Sequence, residues 1–461
     1  MNKSKIIFRI ACLILLGAML VPACSQPAAP QTPEAVESKA PEAESTEAPT
    51  VEPQQIAGEI LIWGWPAADK AFEAIIEGFN EKYPGVKVTW EMNPGMAAGT
   101  RDALSTALSA GSGAPDISLI EINDIGRFVM QGGLVDLMQP PYNAARYKDQ
   151  FVPYKWQQAL SPDGRLLAFP WDIGPASIFY RRDLFDKAGL ASDPESVAEM
   201  FSTWDSFIEA GKKVNDPENH VYWMDLASNI PYIYYAHKNF YDEKYEVAVN
   251  NSKTLRLFEL AKQARSLKMD AKVPAWTEEW YSMMGQGQIA TTIAGCWFGG
   301  FLKSFIDPTG AGKWGVVPIP EDPLQNWGGS FLAITEQSKN KEAAWAFIEY
   351  ALTNADSQNR IFVNVDYFPS FLPAWENPLY DESDFYFGGQ KTRALWTQIA
   401  TSEGKIFTTP MDSAAESIFN AEVAAMLDQD LDPQEVLTLI EQRIKDETAQ
   451  DKDYLMEMLG E

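Results

Sequence analysis

The sequence predicts an α/β protein built from two domains. Its 461 residues exceed what one hydrophobic core usually serves, so two domains are expected. Short apolar segments, at 59–63, 86–90 and 117–120, predict strands, and they alternate with segments of helical periodicity. The continuous apolar run at 117–120 is typical of a strand that is buried on both faces of a parallel sheet.

The helices between these strands are predicted from spacing and from capping residues. Apolar side chains recur at helical spacing from 72 to 83, which predicts one helix there. A second helix is predicted over 100–110, where a glycine follows the last residue. Asn123 and Asp124 are the predicted N-cap of a third helix, which runs to Gln131.

The segment 169–190 is predicted to connect the two domains. Its prolines hold the residues before them out of the α region, so its start is extended. Residues 176–180 predict a short buried strand, and Asp183 is the predicted cap of a brief helix. Trp171 and Asp172 therefore lie on an irregular crossing, where we expect an indole ring and a carboxylate to face a cleft.

The remaining elements follow the same alternation. Thr203 is the predicted N-cap of a helix. Strands are predicted at 288–294 and 330–335, and proline-bounded extended crossings at 314–320 and 366–373. Helices are predicted from there to the C-terminus.

The composition argues against several function classes. A formal charge of −27 argues against nucleic acid and against anionic membrane surfaces as partners. The only histidines are His220 and His237, too few for a usual zinc site, and the motifs His-Glu-x-x-His and Gly-x-Ser-x-Gly do not occur. Cys296 is interpreted as a packed small residue. We therefore predict no catalytic residue, no metal and no cofactor, and we expect a monomer.

The N-terminal segment predicts export and anchoring. Residues 1–23 have the form of a secretory signal, with a basic start and an apolar run at 6–21. Cys24 follows directly after Val-Pro-Ala, which resembles the lipobox of bacterial lipoproteins, whose cysteine carries a diacylglycerol. Residues 24–57 contain no aromatic side chain and predict a disordered tether. We expect a lipoprotein at the outer face of the cytoplasmic membrane or in the periplasm.

Five strings of the chain occur in the order that is typical of one family. They are the region 113–137, the segment 169–190, Thr203-Trp204-Asp205, the stretch 328–334 (Gly-Gly-x-x-x-Ala-Ile) and the stretch 338–348 (Ser-Lys-Asn-x-Glu-Ala-Ala-Trp-x-Phe-Ile). Over about 58–461 the chain resembles the bacterial extracellular solute-binding proteins of family 1, the carbohydrate receptors of ABC importers.

The resemblance implies a two-lobed, periplasmic-binding-protein-like fold of type II with three interlobe crossings. Lobe 1 would comprise 58–170 and 316–365, and lobe 2 would comprise 171–315 and 366–461. The implied function is a lipid-anchored receptor that captures a sugar or oligosaccharide and delivers it to the permease subunits of an ABC importer. The membrane would be contacted through the N-terminal lipid only.

A sugar site needs flat rings against the C–H faces of the sugar, and carboxylates or amides for its hydroxyls. Ligands of open α/β sheets lie at the carboxyl ends of strands. The segment Trp327-Gly328-Gly329 would in addition bring backbone N–H groups close to the ligand. Together with the aromatic residue that the family carries in its Gly-x-Trp string, these conditions select the predicted ligand contacts, which are Trp63, Trp65, Glu121, Asn123, Trp171, Asp172, Asn229, Tyr232, Trp297, Trp327, Gly328, Gly329 and Tyr367.

Two alternatives stay open at the level of sequence. Acidic groups beside aromatic faces would also hold a polyamine or another organic cation, and Tyr234-Tyr235 is similar to the paired tyrosines of ferric receptors. A secreted glycoside hydrolase is a more remote alternative, because paired carboxylates are abundant in so acidic a chain.

Overall fold

The computed structural model describes residues 56–236, 240–322, 325–402 and 408–460. The predicted signal, Cys24, His237 and all but the last two residues of the predicted tether lie outside these ranges. The strands are β1 (Gly58–Gly64), β2 (Val86–Met92), β3 (Ile117–Glu121), β4 (Phe169–Pro170), β5 (Asp172–Ile173), β6 (Ala176–Arg181), β7 (Tyr222–Met224), β8 (Ile289–Gly295), β9 (Trp314–Val317), β10 (Ser330–Ile334) and β11 (Phe368–Pro369).

Helices account for most of the remaining ordered backbone. They are α1 (Ala68–Glu73), α2 (Ile76–Lys82), α3 (Met96–Ala110), α4 (Ile122–Gln131), α5 (Pro153–Gln158), α6 (Arg182–Lys187), α7 (Pro194–Met200), α8 (Trp204–Val214), α9 (Asn229–Tyr232), α10 (Ser252–Ser266), α11 (Glu278–Gln286), α12 (Phe298–Phe301), α13 (Lys341–Leu352), α14 (Ala355–Val365), α15 (Thr392–Ser402), α16 (Asp412–Gln429), α17 (Pro433–Glu447) and α18 (Ala449–Leu459). A π-helical turn, Leu302–Ile306, extends α12.

Two sheets organise the described chain. The first has the order β2-β1-β3-β10-β4, with β1 parallel to both β2 and β3 and with β10 antiparallel to its two neighbours. The second has the order β7-β8-β6-β9, in which only the β7–β8 pair is parallel. The predicted α/β class is therefore confirmed.

The chain passes between the two sheets three times. It leaves the first sheet after β4 and enters the second at β6, and it returns from β9 to β10. After α14 it runs through β11, which pairs with β5 in a small ribbon, and then into the C-terminal helices. The two crossing segments thus brace each other, Phe368 against Ile173 and Pro369 against Asp172. The three predicted crossings are confirmed, and the exact lobe boundaries stay a prediction.

Buried side chains form two large apolar clusters. Successive residues of β6 point to opposite faces, so Ile178 and Tyr180 join one cluster and Phe179 joins the other. The cluster that contains the apolar side chains of the first sheet therefore continues onto one face of the second sheet, where it includes Trp314. Trp345 lies in this cluster too. In the described ranges, no helix combines the length and the apolar character that a membrane span requires.

Three local predictions were wrong. The single helix expected from 72 to 83 is broken into α1 and α2, although Phe72 and Phe79 both still pack on the ring of Phe347. The helix α4 is capped not by Asn123 or Asp124 but by Glu121, whose carboxylate accepts the amide N–H of Asn123 at 2.6 Å.

Asp183 does not cap α6, because that helix begins one residue earlier. The carboxylate of Asp183 binds the guanidinium of Arg181 instead, at 2.7 and 2.8 Å. Just after the helix, Gly189 has a left-handed φ of 72° and the amide of Leu190 donates to the carbonyl of Phe185, which closes the helix end.

Candidate functional site

A cavity of about 470 Å³ lies where elements of the two sheets meet. The first sheet contributes Glu121 at the end of β3 and Ser330 at the start of β10, and the second contributes Thr292 from β8 and Asp225 directly after β7. This volume is within the usual range of about 300–1,000 Å³ for small-molecule sites. A ligand that filled the cavity would contact both halves of the fold.

Aromatic rings form much of the cavity wall. Trp297 is fixed by its indole N–H, which donates to the carbonyl of Trp327 at 2.8 Å. The ring of Trp327 in turn meets the edge of Tyr232 at 5.0 Å between centroids. Trp276 lies 5.7 Å from Trp297 and is 37% exposed, so it forms the mouth of the cavity.

On the side of the first sheet, Asp172 presents a carboxylate to the cavity. It is 3% exposed and accepts both the amide N–H (2.8 Å) and the hydroxyl of Ser330. Burial raises the pKa of Asp172, and the positive charge of Lys155 acts in the opposite direction. Lys155 is completely buried, with its ammonium 3.7 Å from the ring centroid of Phe331. A buried cation therefore helps to keep this carboxylate ionised.

On the side of the second sheet, Asp225 is a buried hub of four hydrogen bonds. One carboxylate oxygen accepts the amide of Leu226 (2.9 Å) and the side-chain amide of Asn229 (3.1 Å). The other accepts the indole of Trp280 (3.1 Å) and the hydroxyl of Thr292 (3.0 Å). Burial raises the pKa of Asp225, and these donors lower it. All four donor residues also line the cavity, so Asp225 sets the shape of this wall.

Glu416 of α16 links elements that belong to different sheets. Its carboxylate accepts the hydroxyl of Tyr232 at 2.6 Å and the side-chain amide of Asn123 at 3.1 Å. Asn123 lies in α4, which directly follows β3 of the first sheet. Tyr232 ends α9, which lies between β7 and β8 of the second sheet. These two bonds therefore connect the two halves at the cavity rim.

The segment after Trp327 brings backbone close to the cavity. Gly328 and Gly329 have φ values of 89° and 110°, which L side chains rarely adopt. A Cβ on Gly329 would lie 2.6 Å from the carbonyl oxygen of Asp172 and 3.0 Å from the ammonium of Lys155. Only glycine fits here, so the prediction of a close backbone approach agrees with the local geometry.

Most of the predicted contacts come together at this one cavity. The predicted residues that line it are Trp65, Glu121, Asn123, Asp172, Asn229, Tyr232, Trp297, Trp327, Gly328, Gly329 and Tyr367. Direct contact of each with a ligand remains a prediction.

Two predicted residues do not reach the cavity, and we remove them from the candidate site. Trp171 is 1% exposed and stacks on Phe72 at 5.8 Å inside the apolar cluster. Adjacent residues of an extended segment point to opposite sides. Asp172 faces the cavity, and Trp171 therefore faces the core. Trp63 belongs to β1, where its indole binds the carboxylate of Glu91 on the neighbouring strand.

Several lining residues were not predicted. Trp276 lies two residues before α11 and Trp280 lies within it, and no motif pointed to either. Asp225 follows β7 directly, but no strand was predicted at 222–224, so the rule that selected Glu121 could not be applied to it. Phe301 and Asn420 lie on helices without a motif, and no sequence signal pointed to them.

Other residues noted in the sequence lie elsewhere. Tyr234 and Tyr235 are buried in the cluster of the second half, so they give no support to the iron alternative. Cys296 is buried in the core, as predicted, and burial raises the pKa of its thiol. Within the part of the chain that the structure describes, no group of three or more His, Cys, Asp or Glu side chains could hold a metal ion.

Two α/β halves that share a cavity of flat rings and buried carboxylates define a binding protein of two domains joined by crossing segments. Residues 63–358 match the family described as bacterial extracellular solute-binding protein, and the chain belongs to this family. The resemblance on which the sequence analysis relied is thereby confirmed.

Related proteins carry sugar-binding names. The chain is 25% identical to the arabinooligosaccharide-binding protein of Halalkalibacterium halodurans over 72% of its length and 75% of that protein. It is 27% identical to the lactose-binding protein of Rhizobium radiobacter, over 79% and 88% of the two chains. Among solved structures, the ABC transporter associated binding protein of B. animalis subsp. lactis, in complex with beta-1,6-galactobiose, superposes with a TM-score of 0.73 at 25% identity, covering 86% of this chain and 98% of that one.

Proposed function

We propose that this protein is the receptor of an ABC import system and binds a neutral sugar or oligosaccharide in the cavity between its two halves. The observation that carries the proposal is the lining itself, in which aromatic rings and buried hydrogen-bond acceptors come from both sheets. The family and the sugar-binding names of the relatives support a sugar receptor.

The chemistry of the lining suits an uncharged polyol. Rings such as Trp297 and Trp327 offer apolar faces to the C–H faces of a sugar, and Asp172 and Glu121 accept hydrogen bonds from its hydroxyls. Among the described residues that line the cavity there is no lysine, arginine or histidine. An anionic sugar would therefore meet carboxylates and no cationic lining residue, and we expect such sugars to be rejected.

Binding drives closure in this proposal. A ligand that contacts both halves lowers the free energy of the form in which the halves are close, and only such differential contact shifts the equilibrium. The hydrogen bonds of Glu416 to Asn123 and Tyr232 would help to hold that form. We propose that the closed form is delivered to the permease, that Cys24 carries the lipid anchor, and that the protein acts without catalysis or cofactor.

A thermal-shift screen of the folded part tests the proposal. The panel comprises neutral mono-, di- and oligosaccharides, with a uronic acid and a sugar phosphate as anionic controls. We expect at least one neutral sugar to raise the melting temperature, with a shift that grows with concentration, and the anionic controls to have no effect. A screen in which no neutral sugar stabilises the protein would contradict the proposal.

A polyamine receptor is the second candidate, because carboxylates line the cavity and none of the described lining residues is a lysine, arginine or histidine. Spermidine belongs in the same screen, and stabilisation by spermidine alone would favour this candidate. The remote alternative, a glycoside hydrolase, is tested on the same sample: release of reducing ends from a polysaccharide would support it over both receptors.

A further inference from the structure

We infer that the sugar site continues beyond the cavity onto an outer aromatic surface, and that the receptor therefore prefers oligosaccharides longer than the cavity can enclose. The outer aromatic surface consists of Trp276, Tyr281 and Phe305. The inference rests on the proposed function and adds a length preference to it.

Five aromatic rings form a closed circuit that runs from the cavity wall to the surface. Trp276 contacts Trp280 (5.2 Å), Trp280 contacts Tyr281 (5.4 Å) and Tyr281 contacts Phe305 (5.6 Å). Phe305 contacts Phe301 (5.4 Å), which returns to Trp276 (5.8 Å). Trp280 and Phe301 are buried and line the cavity, whereas Trp276 and Phe305 are 37% and 47% exposed. The aromatic lining thus continues outward without interruption.

Unusual backbone geometry holds the exposed members in place. Trp276 has a φ of 69°, in the left-handed region that side chains rarely adopt. Phe305 lies in the π-helical turn Leu302–Ile306, a rare conformation that is frequent at functional sites. Both exposed rings are thus presented on sparsely populated backbone, and such outliers suggest a function that requires them.

The chemistry of this surface fits the outer units of a neutral oligosaccharide. Flat apolar rings can stack on C–H faces without reading the pattern of hydroxyls, so this surface adds affinity and little selectivity for linkage. The cavity of about 470 Å³ lies in the lower half of the usual range for small-molecule sites, so a longer chain has to continue past Trp276. Continuity with the cavity lining is the reason to assign the surface to the same ligand.

Isothermal titration calorimetry with oligosaccharide series tests the inference. The probes are arabino-, galacto- and malto-oligosaccharides of two, three and four units, titrated into wild type and into Phe305→Ala. In a series that binds, we expect the tetramer to bind wild type more tightly than the dimer. Phe305→Ala should weaken the tetramer about fivefold and leave the dimer within about twofold.

Two further variants separate stacking from other effects. Phe305→Leu keeps an apolar side chain but removes the flat ring, so it should lose as much tetramer affinity as Phe305→Ala. Phe385→Ala removes an 84% exposed ring that has no contact with the circuit, and it should change neither affinity. Melting temperatures of all variants within a few degrees of wild type confirm that the fold is intact.

The possible failures are distinguishable. If sugars bind but the tetramer is no tighter than the dimer, or if Phe305→Ala affects both lengths equally, the length preference is overturned and the sugar receptor stands. If no neutral sugar binds wild type, the proposed function fails and the inference fails with it.

Discussion

Replacing Asp225 by asparagine tests whether this buried carboxylate organises one wall of the cavity. Each carboxylate oxygen accepts one donor that cannot reverse its role, the amide N–H of Leu226 on one and the indole N–H of Trp280 on the other. The amide group of asparagine has only one oxygen, so in either orientation its NH2 faces one of these donors. The variant must therefore leave at least one buried donor unsatisfied.

The magnitude follows from this loss. An unsatisfied buried donor costs about 1–3 kcal/mol. The neutral amide recovers part of the desolvation cost, because burial raises the pKa of Asp225 and so opposes its ionised form. We expect the free energy of unfolding to fall by about 1–2 kcal/mol and sugar affinity to fall with it, because Asn229 and Trp280 lose their common anchor.

Urea unfolding followed by tryptophan fluorescence measures the loss in stability, and calorimetry with a bound sugar measures the loss in affinity. Asp453→Asn is the matched control, since Asp453 is exposed on α18 and should change neither quantity. Asp225→Asn with the stability and affinity of wild type would show that the four hydrogen bonds do not organise the wall.

Three more predictions concern the other parts of the site. Lys155→Met removes the positive charge that lowers the pKa of Asp172 in the folded protein. The folded-state pKa of Asp172 then rises further above its value in the unfolded chain. As pH rises, Asp172 ionises more readily in the unfolded chain than in the fold, so the variant loses stability relative to wild type. The difference in melting temperature between the variant and wild type should widen between about pH 4.5 and pH 7.5. A difference that stays constant with pH would count against an interaction between Lys155 and Asp172. Gly329→Ala should lower stability by about 1–3 kcal/mol in urea unfolding, because of its positive φ and the close carbonyl of Asp172; unchanged stability would refute the steric argument. Glu416→Ala should weaken sugar binding about tenfold in calorimetry and Glu416→Gln much less, since glutamine can still accept the hydroxyl of Tyr232; equal affinities for the two variants would contradict a bridging role.

The rule that ligands lie at the carboxyl ends of strands located much of the site. It succeeded because the strands that carry the site can be predicted reliably from the local sequence pattern. The strands around 117–120 and 176–180 are short apolar runs between clear stop signals, and the structure has β3 and β6 there. Glu121 follows from the strand at 117–120, and Asp172 follows from the extended crossing that precedes the strand at 176–180. Their acidic and extended context is local in the sequence, so it could be predicted without tertiary information.

The errors have a common physical origin in side-chain direction. Trp171 and Asp172 were both expected at the cleft, although neighbours on extended backbone point to opposite sides, and burial assigns the indole to the core. The same alternation determines the direction of the Trp63 side chain, whose indole donates to the carboxylate of Glu91 on the neighbouring strand. Such choices depend on which face of a sheet is covered, and this is a tertiary property.

Several of the residues that the sequence did not indicate lie on helices. Trp280 lies on α11, where its indole donates to Asp225, and Phe301 lies on α12, which begins just after β8. Glu416 arrives from α16, 293 positions after Asn123 in the chain. Contacts of such sequence separation leave no trace in local periodicity, so they emerge only from the folded arrangement.

Calorimetry on one substitution from each half tests the central claim most directly. With the neutral sugar that stabilises wild type best, Glu121→Gln probes the first half and Asn229→Ala probes the second. If the sugar binds between the halves, each variant loses about tenfold or more in affinity while keeping its melting temperature. A sugar whose affinity depends on residues of one half alone would contradict the claim.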